Sequence, residues 1–184
     1  MALGDPHIAA AAIVEDAGGE LVGRTRLQKI GYLLELAGLG AGFDFEYRHY
    51  GPYSEDLATG IGIAAAFGTV EEVERRADWG GVYSIFSTSR RTSPASPRTE
   101  FIRHAKAIDA IELELAATAA YLYAAEGVGK TNALDPWEET RRRKPQKAAN
   151  GRIEKAEQAY KNLKDAVDTP IALPNLSSFV SRSV

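Results

Sequence analysis

One short stretch, Phe43 to Asp56, restricts the fold more than any other part of the chain. Phe43, Phe45, Tyr47 and His49 alternate with Asp44, Glu46, Arg48 and Tyr50. A period of two with aromatic residues on one side describes a strand, Phe43 to His49. Gly51-Pro52 ends it, because proline has no N–H for a ladder and fixes φ. Ser54 then stands where a helix N-cap belongs, with Glu55 and Asp56 in a first turn that favours acids. Leu57, Ile61, Ala64 and Ala65 would pack that helix inward.

Helices flank this joint. Asp5-Pro6 suits a helix start, Asp5 as the cap and Pro6 at the first helical position, and Gly18-Gly19 closes the helix after Ala17. A second helix begins at Gly23 or Thr25. Its buried stripe is Leu27, Ile30, Leu33, Leu34 and Ala37, and Gly38 and Gly40 stop it. Thr69 to Ala77 and Val82 to Ser87 read as two strands around Asp78-Trp79-Gly80-Gly81, although the charges of Glu71 to Arg76 also suit a helix. Thr88 to Arg98, rich in Ser, Thr, Pro and Arg, reads as a mobile loop. Phe101 to Glu126 is helical, broken once near Ala110, with Ile108, Ile111, Leu115 and Leu122 as its stripe. Asp135-Pro136 starts another helix. Arg152 to Val167 is the last, packed through Ala156, Tyr160, Leu163 and Val167.

The expected fold is therefore α+β and mainly helical. Residues 1–87 would form a winged-helix-like core of helices, one strand and a hairpin. Residues 88–98 would link it to a helical extension, 99–168, packed on the core. An extended tail, 169–184, would follow, docked through Ile171, Leu173 and Leu176.

Composition removes several functions. The chain has no cysteine, so disulfides, thiolate metal sites and cysteine nucleophiles are excluded. Its formal net charge of −3 gives no global pull toward nucleic acid. The apolar run Ala9 to Val14 is too short for a signal sequence or a membrane span, and no other run comes near the length of a span. The expectation is a soluble, cytoplasmic protein with no membrane contact.

Chemistry-bearing patterns are weak. Gly127-Val128-Gly129-Lys130-Thr131 resembles the end of a phosphate-binding loop, but that motif needs a glycine at position 124, where alanine stands, and a preceding strand. The histidines His7, His49 and His104 are isolated, and His49 is expected in a core or an interface. Asp109, Glu112 and Glu114 read as charges on a solvated helix face. No enzyme, metal or cofactor is expected. Arg141-Arg142-Arg143-Lys144, with Lys147, Arg152 and Lys155, is the one basic cluster. It reads either as salt bridges with Glu138, Glu139 and Glu154 or as a contact for an acidic partner or phosphates.

The segments Gly23-Arg24-Thr25-Arg26-Leu27-Gln28-Lys29-Ile30-Gly31-Tyr32-Leu33-Leu34 and Phe45 to Leu57, centred on Tyr50-Gly51-Pro52-Tyr53-Ser54, resemble the signature of YwgA-type bacterial proteins. These are similar to the SocA-like antitoxin domain, also called Panacea. The resemblance covers about residues 5 to 87 and implies protein binding, with a toxin as one class of partner. The candidate binding residues are Arg24, Lys29, Tyr32, Tyr50, Gly51, Pro52, Tyr53 and Ser54, with Arg24, Lys29, Tyr32, Tyr50 and Tyr53 at the centre of the surface. A purely structural joint between strand and helix would use the same residues. The expected function is a non-enzymatic interaction module, antitoxin-like or adaptor. The alternative is a winged-helix DNA-binding regulator, against which its third helix offers no Arg or Lys from Glu55 to Gly60.

Overall fold

A computed structural model describes residues 4–78, 80–90 and 94–176. The fold is α+β and mainly helical, as expected. Its elements are α1 (Pro6–Asp16), β1 (Glu20–Val22), α2 (Arg24–Leu36), β2 (Glu46–Arg48), β3 (Gly51–Tyr53), α3 (Glu55–Ala66), β4 (Glu71–Arg76), β5 (Val82–Ser87), α4 (Pro97–Ala107), α5 (Ala110–Ala124), α6 (Pro136–Arg143), α7 (Pro145–Ala148) and α8 (Arg152–Asp165).

The strands form two antiparallel units. One has the order β1-β5-β4, with Leu21 opposite Phe86 and Val73 opposite Ile85. The segment that suited either helix or strand is thus strand β4. Trp79, in the expected turn, lies outside the described residues, as do 91–93 and 177–184. The second unit is the β2–β3 hairpin, in which Tyr47 faces Pro52 and Arg48 faces Gly51.

That hairpin corrects the sequence expectation. Only Glu46–Arg48 of the expected strand Phe43–His49 pairs, and Gly51-Pro52-Tyr53 is itself the returning strand. The reason lies one helix away. The Glu35 carboxylate accepts the backbone N–H groups of Ala41, Gly42 and Phe43, which curls that stretch into a loop with no ladder partner. Other boundaries shift for similar local reasons. Helix α4 starts inside the expected loop, because Ser96 and Thr99 form a reciprocal cap and Pro97 takes the first position. Ile108, expected in a helical stripe, is extended at the break between α4 and α5. The Arg26 guanidinium holds that break through the carbonyls of Lys106 and Ile108. Helix α8 ends at Asp165 rather than Val167. Asp5 precedes α1 as expected but makes no capping hydrogen bond, its carboxylate being paired with His7.

Helix α5 organises the molecule. It packs against α2, α6, α8 and β3, and its residues from Leu113 to Ala120 are all buried. A helix apolar on every side belongs in a core. Residues before and after 88–98 share this one hydrophobic core, from Val14 and Leu33 through Leu115 to Tyr160. Leu173 of the chain end is buried in it too, and Ala172 N–H donates to the Ala37 carbonyl. Close packing around α2 depends on Gly31. A Cβ there would lie 2.6 Å from the Leu57 side chain of α3.

Candidate functional site

The inner face of the β2–β3 hairpin is a set of satisfied backbone groups. Gln28 of α2 embraces Ser54: its Nε2 donates to the Ser54 carbonyl at 2.9 Å, and its Oε1 accepts the Ser54 N–H at 2.8 Å. The Ser54 hydroxyl in turn accepts the Leu57 N–H as the α3 cap, as expected. Pro52 offers no N–H, and its carbonyl accepts the Lys29 ammonium at 2.7 Å. Gly51 has φ +84°, and a Cβ on it would lie 2.6 Å from the Thr118 hydroxyl of α5. Only glycine fits there, for backbone angle and for space.

Behind the hairpin lies a buried cluster of charge. Lys29 is 1% exposed and Glu114 is 4% exposed. The Glu114 carboxylate accepts from Lys144 at 2.8 Å and from Lys147 at 2.7 Å. Lys144 also donates to the His49 carbonyl at 3.0 Å. Two ammonium groups of the α6–α7 corner thus share one carboxylate, Lys29 of α2 feels its charge without touching it, and Lys29 and Lys144 each hold a carbonyl of the hairpin. Burial pushes the Lys29 ammonium down to about 7; Glu114 opposes that shift, and Lys144 and Lys147 add to it.

The outer face has the same residue types with a different exposure. Tyr50 stands at the hairpin turn, 54% exposed, its ring 4.7 Å from that of His49. Each of three tyrosines has a cation over its ring: Arg143 at 5.4 Å from Tyr47, Lys147 at 4.6 Å from Tyr50, Arg48 at 4.5 Å from Tyr53. Tyr50 is flanked by two concavities. A small one of about 120 Å³ lies between α2 and α3 and is lined by Arg24, Leu27, Gln28, Tyr50, Tyr53 and Ile61, among others. A broad open cleft of about 730 Å³ lies toward α6 and α7, its walls including Tyr47, Arg48, His49, Arg143, Lys144 and Lys147.

The eight candidate residues therefore separate into two groups. Arg24, Tyr50 and Tyr53 reach the surface. Arg24 contacts Glu72 at 2.6 Å and donates to the Ser84 hydroxyl at 3.1 Å. Lys29, Tyr32, Gly51, Pro52 and Ser54 are buried. This corrects the expected surface, in which Lys29 and Tyr32 were central. The apparent polar side of α2 is covered by α5 and the hairpin, and Tyr32 packs edge-on to Phe45 and against Tyr121. His49, expected in a core or an interface, is exposed at the turn and so is not a core residue.

Glu114 is the largest miss, since its face was expected to be solvated. It is the lone charge between Leu113 and Ala125, in the apolar part of the helix beyond its first turn. That isolation is the signal by which it could have been found, because a single acid there needs a buried partner. Lys144 and Lys147 were noticed only as part of the basic cluster. Their neighbours behave differently: Arg141 pairs with Glu138 and Glu154, Arg142 with Glu139, and Arg143 with Glu126 and Glu139. Hydrogen bonds from Arg142 and then Arg143 hold the Glu139 carboxyl near 2 despite partial burial.

The glycine-rich Gly127–Thr131 segment is a helix-ending loop. Gly129 N–H is taken by Asn132 and the Thr131 hydroxyl donates to the Gly127 carbonyl. Among the described residues no cluster of three or more His, Asp and Glu is placed to hold a metal, and no helix is long and apolar enough to cross a membrane. The chain matches none of the protein-family models, curated proteins or solved structures with which it was compared.

Proposed function

We propose that this chain is a non-enzymatic protein-binding module of the antitoxin or adaptor kind, acting in the cytoplasm of a bacterium, and that its partner docks on the outer face of the β2–β3 hairpin around Tyr50. The observation that carries this reading is Tyr50 itself. A large aromatic residue is displayed at the tip of a short hairpin, between two concavities, with Lys147 over its ring. The hairpin is braced from behind by Lys29, Lys144 and Gln28, so the ring is presented with little conformational freedom left to lose. Tyrosine with arginine is the composition of binding hot spots. The partner is a protein that buries Tyr50 and brings carboxylates to the cations around it. The resemblance of Arg24–Leu34 and Tyr50–Ser54 to antitoxin-type domains supports the same class, and the absence of cysteine suits a reducing compartment.

The test compares wild type with Tyr50→Ala and Tyr53→Ala as bait, after circular dichroism has shown that all three are folded. A specific protein identified by mass spectrometry should be recovered by the wild type and fall at least tenfold with Tyr50→Ala. Equal recovery by both would remove Tyr50 from the binding surface.

A second reading, a winged-helix DNA-binding regulator, is favoured by the order α1-β1-α2-β2-β3-α3-β4-β5 with β1 joined to β5, although the β2–β3 hairpin separates α2 from α3. Arg75 and Arg76 sit exposed near the end of the β4–β5 hairpin. The helix that would read DNA, α3, opposes it, for it opens with Glu55 and Asp56 and carries no Lys or Arg.

A further inference from the structure

The cleft beside Tyr50 has a one-sided lining. Its walls carry four cations, Arg48, Arg143, Lys144 and Lys147, and no carboxylate. The acids that pair with these cations sit behind them or at the rim. Glu114 is buried beneath Lys144 and Lys147, and Glu139 lies half-hidden beneath Arg143. The internal balance is incomplete at the floor of the cleft. One carboxylate, Glu114, serves two ammonium groups there, Lys144 and Lys147. Arg48 is paired with Glu46 and Glu55 and Arg143 with Glu126 and Glu139, so the unbalanced ammonium is at the floor, where the half-buried Lys147 reaches the open side.

We propose that this cleft binds an acidic peptide segment of the protein partner, an assignment that rests on the protein-binding reading above. Its carboxylates meet Arg48, Arg143 and Lys147, and its methylenes lie against the ring of Tyr47. Charge-assisted contacts of this kind are stronger than neutral ones and choose partners by sign. A polynucleotide fits less well. The exposed acids Glu46, Glu55 and Glu138 pair with the outer sides of Arg48 and Arg141. A duplex, which contacts phosphates across many residues, meets more of these acids than a short peptide does.

The test needs no natural partner. The full chain is titrated into a fluorescein-labelled hexaglutamate peptide and, separately, into a labelled 16-base-pair DNA duplex. Anisotropy is read at about 50 and about 200 mM salt. The critical variant is Gln146→Glu. Gln146 is an exposed residue of the cleft wall, so this change places an acid in the cleft while Lys144, Lys147 and Glu114 stay in place. The expected result is saturable peptide binding that weakens at the higher salt, weakens a further ~5-fold in Gln146→Glu, and exceeds binding of the duplex. Absence of saturable peptide binding, unchanged affinity in Gln146→Glu, or tighter binding of the duplex would each overturn the assignment. Tyr50-dependent capture of a protein that persists when the peptide fails sinks the acidic cleft alone. Peptide binding with Tyr50-independent capture sinks the Tyr50 surface instead.

Discussion

The two faces of the β2–β3 hairpin use the same residue types for opposite ends. On the outer face, Arg48 and Arg143 lie over the rings of Tyr53 and Tyr47, and Lys147 spans both faces, its ammonium on buried Glu114 and 4.6 Å from the Tyr50 ring. On the inner face, Lys29 and Lys144 are buried and donate to the carbonyls of Pro52 and His49. A cation at the outer face contributes little to stability, because water screens it and its side chain keeps much of its freedom. A cation at the inner face has lost its water, and its removal or the loss of its counter-charge is costly. The difference is set by α5, which covers one face and leaves the other open. Rigidity behind and exposure in front are what a display hairpin requires.

The largest test of this contrast is Glu114→Gln. The side chain keeps its shape but leaves Lys144 and Lys147 without a counter-charge. Chemical denaturation should show a loss of about 3–5 kcal/mol, as for other broken buried pairs. A loss below about 1 kcal/mol would mean that the cluster is solvated and the two faces are alike.

Next comes Gly51→Ala. It places a Cβ at a positive φ and 2.6 Å from the Thr118 hydroxyl. A cost of about 2–4 kcal/mol is expected from strain and overpacking together. The double variant with Thr118→Ala should recover part of it, which isolates the steric share.

The smallest effect is a pH dependence. Lys29 titrates near 7 in the folded chain and near 10.5 when unfolded. Between those values the unfolded chain binds more protons, so the Lys29 contribution to stability rises with pH across that window and is flat below it. The slope is at most about 1.4 kcal/mol per pH unit. Denaturation of wild type and Lys29→Met at pH 6.5 and pH 9 should show the stability difference moving in favour of wild type at the higher pH. Parallel stability profiles would place Lys29 in water.

Much of the architecture was legible locally. The α2 stripe from Leu27 to Leu34, the Ser54 cap, the Asp135-Pro136 start and the break near Ala110 depend on neighbouring residues, and sequence reports neighbours. The β3 strand was not legible. Gly-Pro is a breaker by local chemistry, and it pairs here because the turn at His49-Tyr50 folds it back on Glu46–Arg48. The site was half legible. Tyr50 and Tyr53 were found from residue type and do reach the surface. Lys29 and Tyr32 were assigned to the surface because one stripe of α2 seemed enough for one core, whereas α5 makes a second side of that core.

The sequence by itself determined most of the pieces: where the main helices lie, that Ser54 and Asp135 cap α3 and α6, and that the Tyr-Gly-Pro-Tyr-Ser joint leads into α3. Only the tertiary structure decided which charges belong inside. Glu114 lies 85 residues after Lys29 and 30 before Lys144, and nothing at short range links them. Burial of a charge is a property of what packs over it. For Lys29 and Glu114 that cover comes from helices brought together by long-range contacts, whose desolvation sets the energy of the group and, through it, the shape of the surface that carries Tyr50.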